Sequence, residues 1–153
     1  MKSKLASLTP AVNKRVLLVL SGTMWAGVGL LLWQFAYQWL MTIERTPALW
    51  LGGGGMGLAL LIHLFGFSKL AAKNIQRIAD KSNPTCIFSF QSWPSYLNII
   101  LMMSLGIALR HSSLPREYLI PLYVGIGGAL VLSSLIYFRV FARAMVKEPE
   151  KWA

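Results

Sequence analysis

The sequence predicts an all-α integral membrane protein of four transmembrane helices, with both termini in the cytoplasm. Three observations predict it. The 153-residue chain is 56% hydrophobic and only 13% charged, with a mean hydropathy of +0.56, too apolar for a soluble domain of this size. Its apolar residues fall into four runs, 16–40, 49–67, 94–109 and 118–138. Its basic residues alternate with those runs so that most lie on one side.

The opening stretch MKSKLASLTPAVNKRVLLVL has the basic beginning of a signal peptide. The apolar run that follows far exceeds the usual length of about 7–15 residues, so it is read as a retained first span. The second and fourth runs also approach the roughly 20 residues that cross a hydrocarbon core of about 30 Å. At about 1.5 Å per residue the third reaches only about 24 Å, which requires Arg110 to snorkel outward or the bilayer to thin there.

Charge sets the orientation, because Lys and Arg are retained on the cytoplasmic side of short connections. Of the 15 basic residues, Lys2, Lys4, Lys14 and Arg15 precede the first span, Lys69, Lys73, Arg77 and Lys81 follow the second, and Arg139, Arg143, Lys147 and Lys151 follow the fourth. Arg45, Arg110 and Arg116 fall on the opposite side. The net charge of +10 is thereby accounted for by topology and contact with anionic headgroups. Division among three segments argues against nucleic-acid binding.

Between the second and third spans lies a cytoplasmic basic connection, 68–93. Lys69, Lys73 and Arg77 recur every four residues, which predicts that the second helix continues to about Ala79 as a basic amphipathic extension. Asn83-Pro84 then stops it, and CIFSFQSWP leads along the inner interface to a helix start with Ser92 as cap and Pro94 in the first turn. Trp39 and Trp50 on the outer side and Trp93 on the inner suit the aromatic belts. The single Cys86 excludes an internal disulfide and is read as a small apolar filler.

Glycine is conspicuous in LWLGGGGMG, residues 49–57, where each costs a helix about 1 kcal/mol relative to alanine. An internal repeat explains the cluster. ERTPALWLGGGG (44–55) lies on EYLIPLYVGIGG (117–128) with Glu44/Glu117, Leu49/Leu122, Gly52/Gly125, Gly54/Gly127 and Gly55/Gly128 identical. Upstream, WAGVGLLL matches MMSLGIAL with Gly29 on Gly106. The chain is thus read as two tandem hairpins, parallel repeats of the kind some transporters use. Gly52 with Gly55, and Gly125 with Gly128, form small faces expected to pack the second helix against the fourth. Gly53 and Gly57 add a GxxxG pattern open to intrachain packing or a homo-oligomer.

Polar residues within spans are costly and are the default candidates for function. An inner level comprises His63, about 21 Å along its helix from Leu49, Asn98, about 6 Å into its helix, and Ser133 and Ser134. Histidine there could relay protons or bind a ligand, or serve as interhelical glue to Asn98 or a serine. An outer rim gathers Gln34, Gln38, Glu44, Arg110 and His111, either an anion-attracting site or a solvated edge with a snorkelling arginine. His63 and His111 lie too far apart in depth to share a haem. No acid pair, nucleophile–base pair, phosphate-binding loop or zinc spacing stands out in the sequence, and no cofactor is expected.

FSFQSWPSYL followed by LRHSSLPREYL is similar to an uncharacterised family of small four-helix bacterial membrane proteins, over roughly Cys86 to Tyr137. The resemblance supports the topology only and carries no activity or site residues; the expected location is the bacterial inner membrane. Three function classes follow. The first is a non-enzymatic accessory, assembly or scaffold subunit that packs beside another membrane protein. An oligomeric transporter or channel unit for a small solute or ion is second, and an enzyme a distant third.

Overall fold

The computed structural model describes residues 11–81, 85–86 and 93–147. The readings placed on the first ten residues, Asn83-Pro84, Ser92 and Lys151 lie outside them. The elements in order are a two-residue strand β1 (Ala11–Val12), α1 (Lys14–Leu40), α2 (Arg45–Ile62), a π-helical turn (His63–Phe67), α3 (Ser68–Ala79), strand β2 (Thr85–Cys86), α4 (Trp93–His111) and α5 (Arg116–Val146). β1 and β2 pair antiparallel, Ala11 opposite Cys86 and Val12 opposite Thr85, tying the entry of α1 to the connection after α3.

Three of these helices are long and apolar enough to cross a membrane: α1, the continuous α2–π–α3 rod Arg45–Ala79, and α5. The rod ends at the predicted Ala79, but starts at Arg45, four residues ahead of the apolar run, because Thr46 and Pro47 fit its first turn. Within α4 the apolar part is the shorter Ile99–His111.

α5 is the axis of the bundle. Over their most apolar windows, 61% of α5 is buried, against 33% of α1 and 11% of the α2–α3 rod. α1 runs antiparallel along one side of α5, its successive contacts descending from Gly22 against Tyr137 to Gly29 against Gly127. The rod runs parallel to α5 on another side, ascending from Gly55 against Pro121 and Val124 to Ala59 against Gly128. α1 and α2 therefore meet α5 far more than each other; two helices adjacent in sequence share a third that lies last in the chain.

Two apolar clusters fill the bundle. The outer one joins Ala36 to Leu119, Ile120, Tyr123 and Val124. The inner one joins Leu17, Leu18 and Trp25 of α1 to Ala71, Ile75 and Ile78 of α3 and to Leu130, Tyr137 and Ala144 of α5. Trp25 stands between the rings of Phe67 and Tyr137, at 5.6 Å and 5.7 Å, within the range of favourable aromatic contact. Between the clusters the backbones approach most closely. A methyl built on Gly29 would lie 2.7 Å from the Gly127 carbonyl oxygen, and one on Gly127 would lie 2.8 Å from the Gly29 carbonyl oxygen. Since lipid is as apolar as leucine, such close van der Waals contact, rather than hydrophobic burial, holds spans together.

α4 stands apart. Most of its described side chains are exposed, among them Leu97, Ile100, Leu101, Met103, Leu105 and Ile107, and its contacts with the other helices are sparse. α1 thus packs against the axis and α4 lies at its margin.

Candidate functional site

Two residues of the expected inner polar level, His63 and Ser133, meet at the π turn. α2 would present the same face to α5 throughout if it stayed regular, but over His63–Phe67 the hydrogen bonds lengthen to the i→i+5 pattern, the Ser68 N–H bonding the His63 carbonyl. Such single-turn bulges recur at functional positions in helices. Ser68 Oγ also donates to the Leu64 carbonyl at 3.1 Å. At the head of this turn His63 Nδ1 lies 2.8 Å from Ser133 Oγ, a short hydrogen bond whose donor depends on the imidazole tautomer. Ser133 is fully buried and His63 half-buried.

Ser134, also expected in this cluster, is bonded elsewhere. Ser134 is buried but turns back on its own helix, donating to the Val131 carbonyl at 2.7 Å, a local bond that serine readily forms. The Asn98 side chain lies outside the described residues. A pair sequence reasoning missed lies further along the rod, in α3, where Asn74 Nδ2 donates to Tyr137 Oη at 3.1 Å with both residues buried. The signal was available: Ala71, Asn74, Ile75 and Ile78 recur at helical spacing on the face opposite Lys69 and Lys73.

Of the glycines expected at the crossing of the second and fourth helices, three are there. A methyl on Gly55 would lie 2.6 Å from Val124 Cβ, one on Gly125 would lie 2.9 Å from Leu58, and one on Gly128 would lie 2.8 Å from Ala59 Cβ. Gly52 differs from them: nothing stands within 4 Å of its place for a side chain, nor within 4 Å at Gly53, Gly54 or Gly57. It sits three residues above Gly55, near the outer end where α2 offers no neighbour to that face. The Gly29–Gly127 contact was the one the pairing of glycines across repeats passed over, since it joins α1 to α5.

On the outer rim Gln34, Gln38, Glu44 and His111 are exposed. Arg110 does more than snorkel. Its guanidinium carbon lies 3.7 Å from the centre of the Phe35 ring, and Nε donates to Tyr123 Oη at 3.4 Å. Tyr123 Oη in turn donates to the Gly106 carbonyl at 3.0 Å. This cation–π and hydrogen-bonded junction links α1, α4 and α5. Nearby, Trp33 Nε1 donates to the Val124 carbonyl at 3.1 Å, and Trp39 packs on Tyr123 at 5.0 Å, whereas Trp50 and Trp93 are exposed, as belt residues would be.

Chemically, the His63–Ser133 contact has the spacing of a base and a hydroxyl nucleophile. Ser133, however, has no exposed surface, and two grooves among the described residues are lined elsewhere, one by Lys73, Gln76, Arg77, Asp80 and Lys81 and the other by Thr46, Leu49, Trp50, Gly53 and Gly54. Among the described residues no group of three His, Cys, Asp or Glu side chains could hold a metal ion. Comparison with known proteins finds no matching family model, no matching curated protein and no matching solved structure.

Proposed function

We propose that this protein is a non-enzymatic accessory, assembly or scaffold subunit of the bacterial inner membrane, spanning it four times as two tandem hairpins with both termini in the cytoplasm. The observation that carries the reading is the division of labour among the helices. α1, the α2–α3 rod and α5 satisfy one another around a close-packed axis, while α4 and the Gly52, Gly53, Gly54 and Gly57 face of α2 remain uncovered. Small faces without neighbours are where a second membrane helix can approach. Sparse tethering leaves α4 able to serve a partner without unfolding the core.

Photocrosslinking in native membranes tests this. A crosslinker placed at Gly53 or Met103 is expected to capture a different membrane protein, and one at Leu130, buried against α1, is expected to capture none. Capture of the chain by itself alone overturns the accessory reading. Topology is checked independently: a cysteine replacing Lys73 should be labelled from the cytoplasm, and cysteines replacing Thr46 or Ser113 from outside.

The second reading, an oligomeric transporter or channel unit, is favoured by the His63–Ser133 pair, since an ionisable residue within a span marks ion or proton pathways. It predicts proton-coupled flux in reconstituted vesicles that is lost on His63→Gln. Glue predicts none in either form.

A further inference from the structure

The cytoplasmic end of α3 carries chemistry that packing does not use. Asn74 Nδ2 is bonded to Tyr137 Oη, and Tyr137 lies at the last turn of the apolar run of α5, just before Arg139. On the proposed orientation this contact falls at the inner edge of the hydrocarbon. Arg77, three residues beyond Asn74, therefore lies about 4.5 Å further out, at headgroup depth. Lys14 stands beside it, its ammonium at the head of α1 donating to the Ala79 carbonyl at 3.1 Å and bracing the two helix ends together.

At that depth Lys73, Gln76, Arg77, Asp80 and Lys81 line an open groove of about 400 Å³. One guanidinium nitrogen of Arg77, Nη1, is buried with no hydrogen-bond partner among the described residues. A shielded N–H of a cation left unmet is unfavourable, and the guanidinium fork fits two oxygens of one phosphate. Three cations face one carboxylate in this groove, so its net charge is positive. Leu70 is exposed one turn before Lys73 and Asn74, as an acyl-chain contact would require.

We propose that this groove is a binding site for the phosphodiester of an anionic glycerophospholipid, with Arg77 holding the phosphate oxygens, Lys73 supplying the second cation from the membrane side, and Asp80 exposed at the rim. Basic pockets at the cytoplasmic ends of spans bind such headgroups. The site rests on the inward orientation of α3 argued above, and adds to it a specific lipid partner.

Native mass spectrometry of the full chain in detergent, titrated with phosphatidylglycerol, phosphatidylcholine or inorganic phosphate, tests the site without reference to sidedness. The expected result is tighter binding of phosphatidylglycerol than of phosphatidylcholine, a preference that falls about fivefold in Arg77→Gln and by a smaller factor in Lys73→Gln. Arg143→Gln, which removes the same charge outside the groove, should leave it unchanged. Should Arg77→Gln not fold, the exposed Lys73→Gln decides alone. An equal loss in Arg143→Gln reduces the effect to net charge and overturns the site, as does an unchanged preference in the groove variants. Occupancy by inorganic phosphate equal to that by phosphatidylglycerol overturns the lipid assignment. The cysteine-labelling experiment separately reports whether the orientation itself fails.

Discussion

Gly125, Gly127 and Gly128 of α5 sit where an added methyl would meet a neighbour at 2.9 Å or less, whereas Gly52, Gly53, Gly54 and Gly57 of α2 have nothing within 4 Å. Two glycine-rich stretches of similar sequence are thus put to different uses. α5 lies between α1 and α2 and needs small residues around its circumference, because two backbones approach it at the same depth. α2 touches α5 along a single line, which passes through Gly55 and Ala59. A glycine's worth in a membrane helix is set by how many helices surround it, and composition does not record that.

The comparison breaks most sharply at Gly127, where a side chain would collide with the Gly29 carbonyl and with Trp33. Gly127→Leu is expected to cost about 3 kcal/mol, the upper range of overpacking, and to leave little folded monomer by size exclusion in detergent. Retention of wild-type thermal stability would mean that α1 and α5 do not cross there.

Gly55→Leu comes next, at about 2 kcal/mol, because Val124 Cβ and Pro121 Cα, at 2.6 and 3.1 Å, are both fixed to the α5 backbone and the two helices must part. Disulfide crosslinks between α2 and α5 should fail in this variant while those between α1 and α5 persist. Simultaneous loss of both sets would show that the bundle is not organised around one axis.

Smaller again is the polar pair. His63→Gln and Ser133→Ala should each cost about 1 kcal/mol or less, the usual worth of an interhelical hydrogen bond in lipid. The double variant should cost no more than the worse single one, as a double-mutant cycle requires of two ends of one bond. Additive losses would separate the two side chains.

At the foot of the scale, Gly53→Ala should leave stability unchanged or raise it by up to about 1 kcal/mol, the helix-propensity difference alone. A clear loss of stability in the isolated chain would reveal an intrachain neighbour for the open face of α2.

Much of this protein is written in its sequence, and the reason is that membrane insertion reads local properties. Hydropathy over about 20 residues, with cations at alternate ends, predicts α1, the rod to Ala79 and α5, because each backbone must satisfy its own hydrogen bonds in lipid. Histidine at mid-helix and serine on another span announced an inner polar level, since each needs a partner there. Only tertiary structure decided which partner. It chose Ser133 and left Ser134 bonded to its own helix, paired Asn74 with Tyr137, placed Arg110 on Phe35, and inserted a π turn that no proline or cap foreshadows. These depend on the rotation and crossing of helices far apart in the chain. Hydropathy is the same for every rotation of an apolar helix, so the choice among faces falls to the shape of the backbone at Gly29, Gly55 and Gly127, where only the helices that fit can meet.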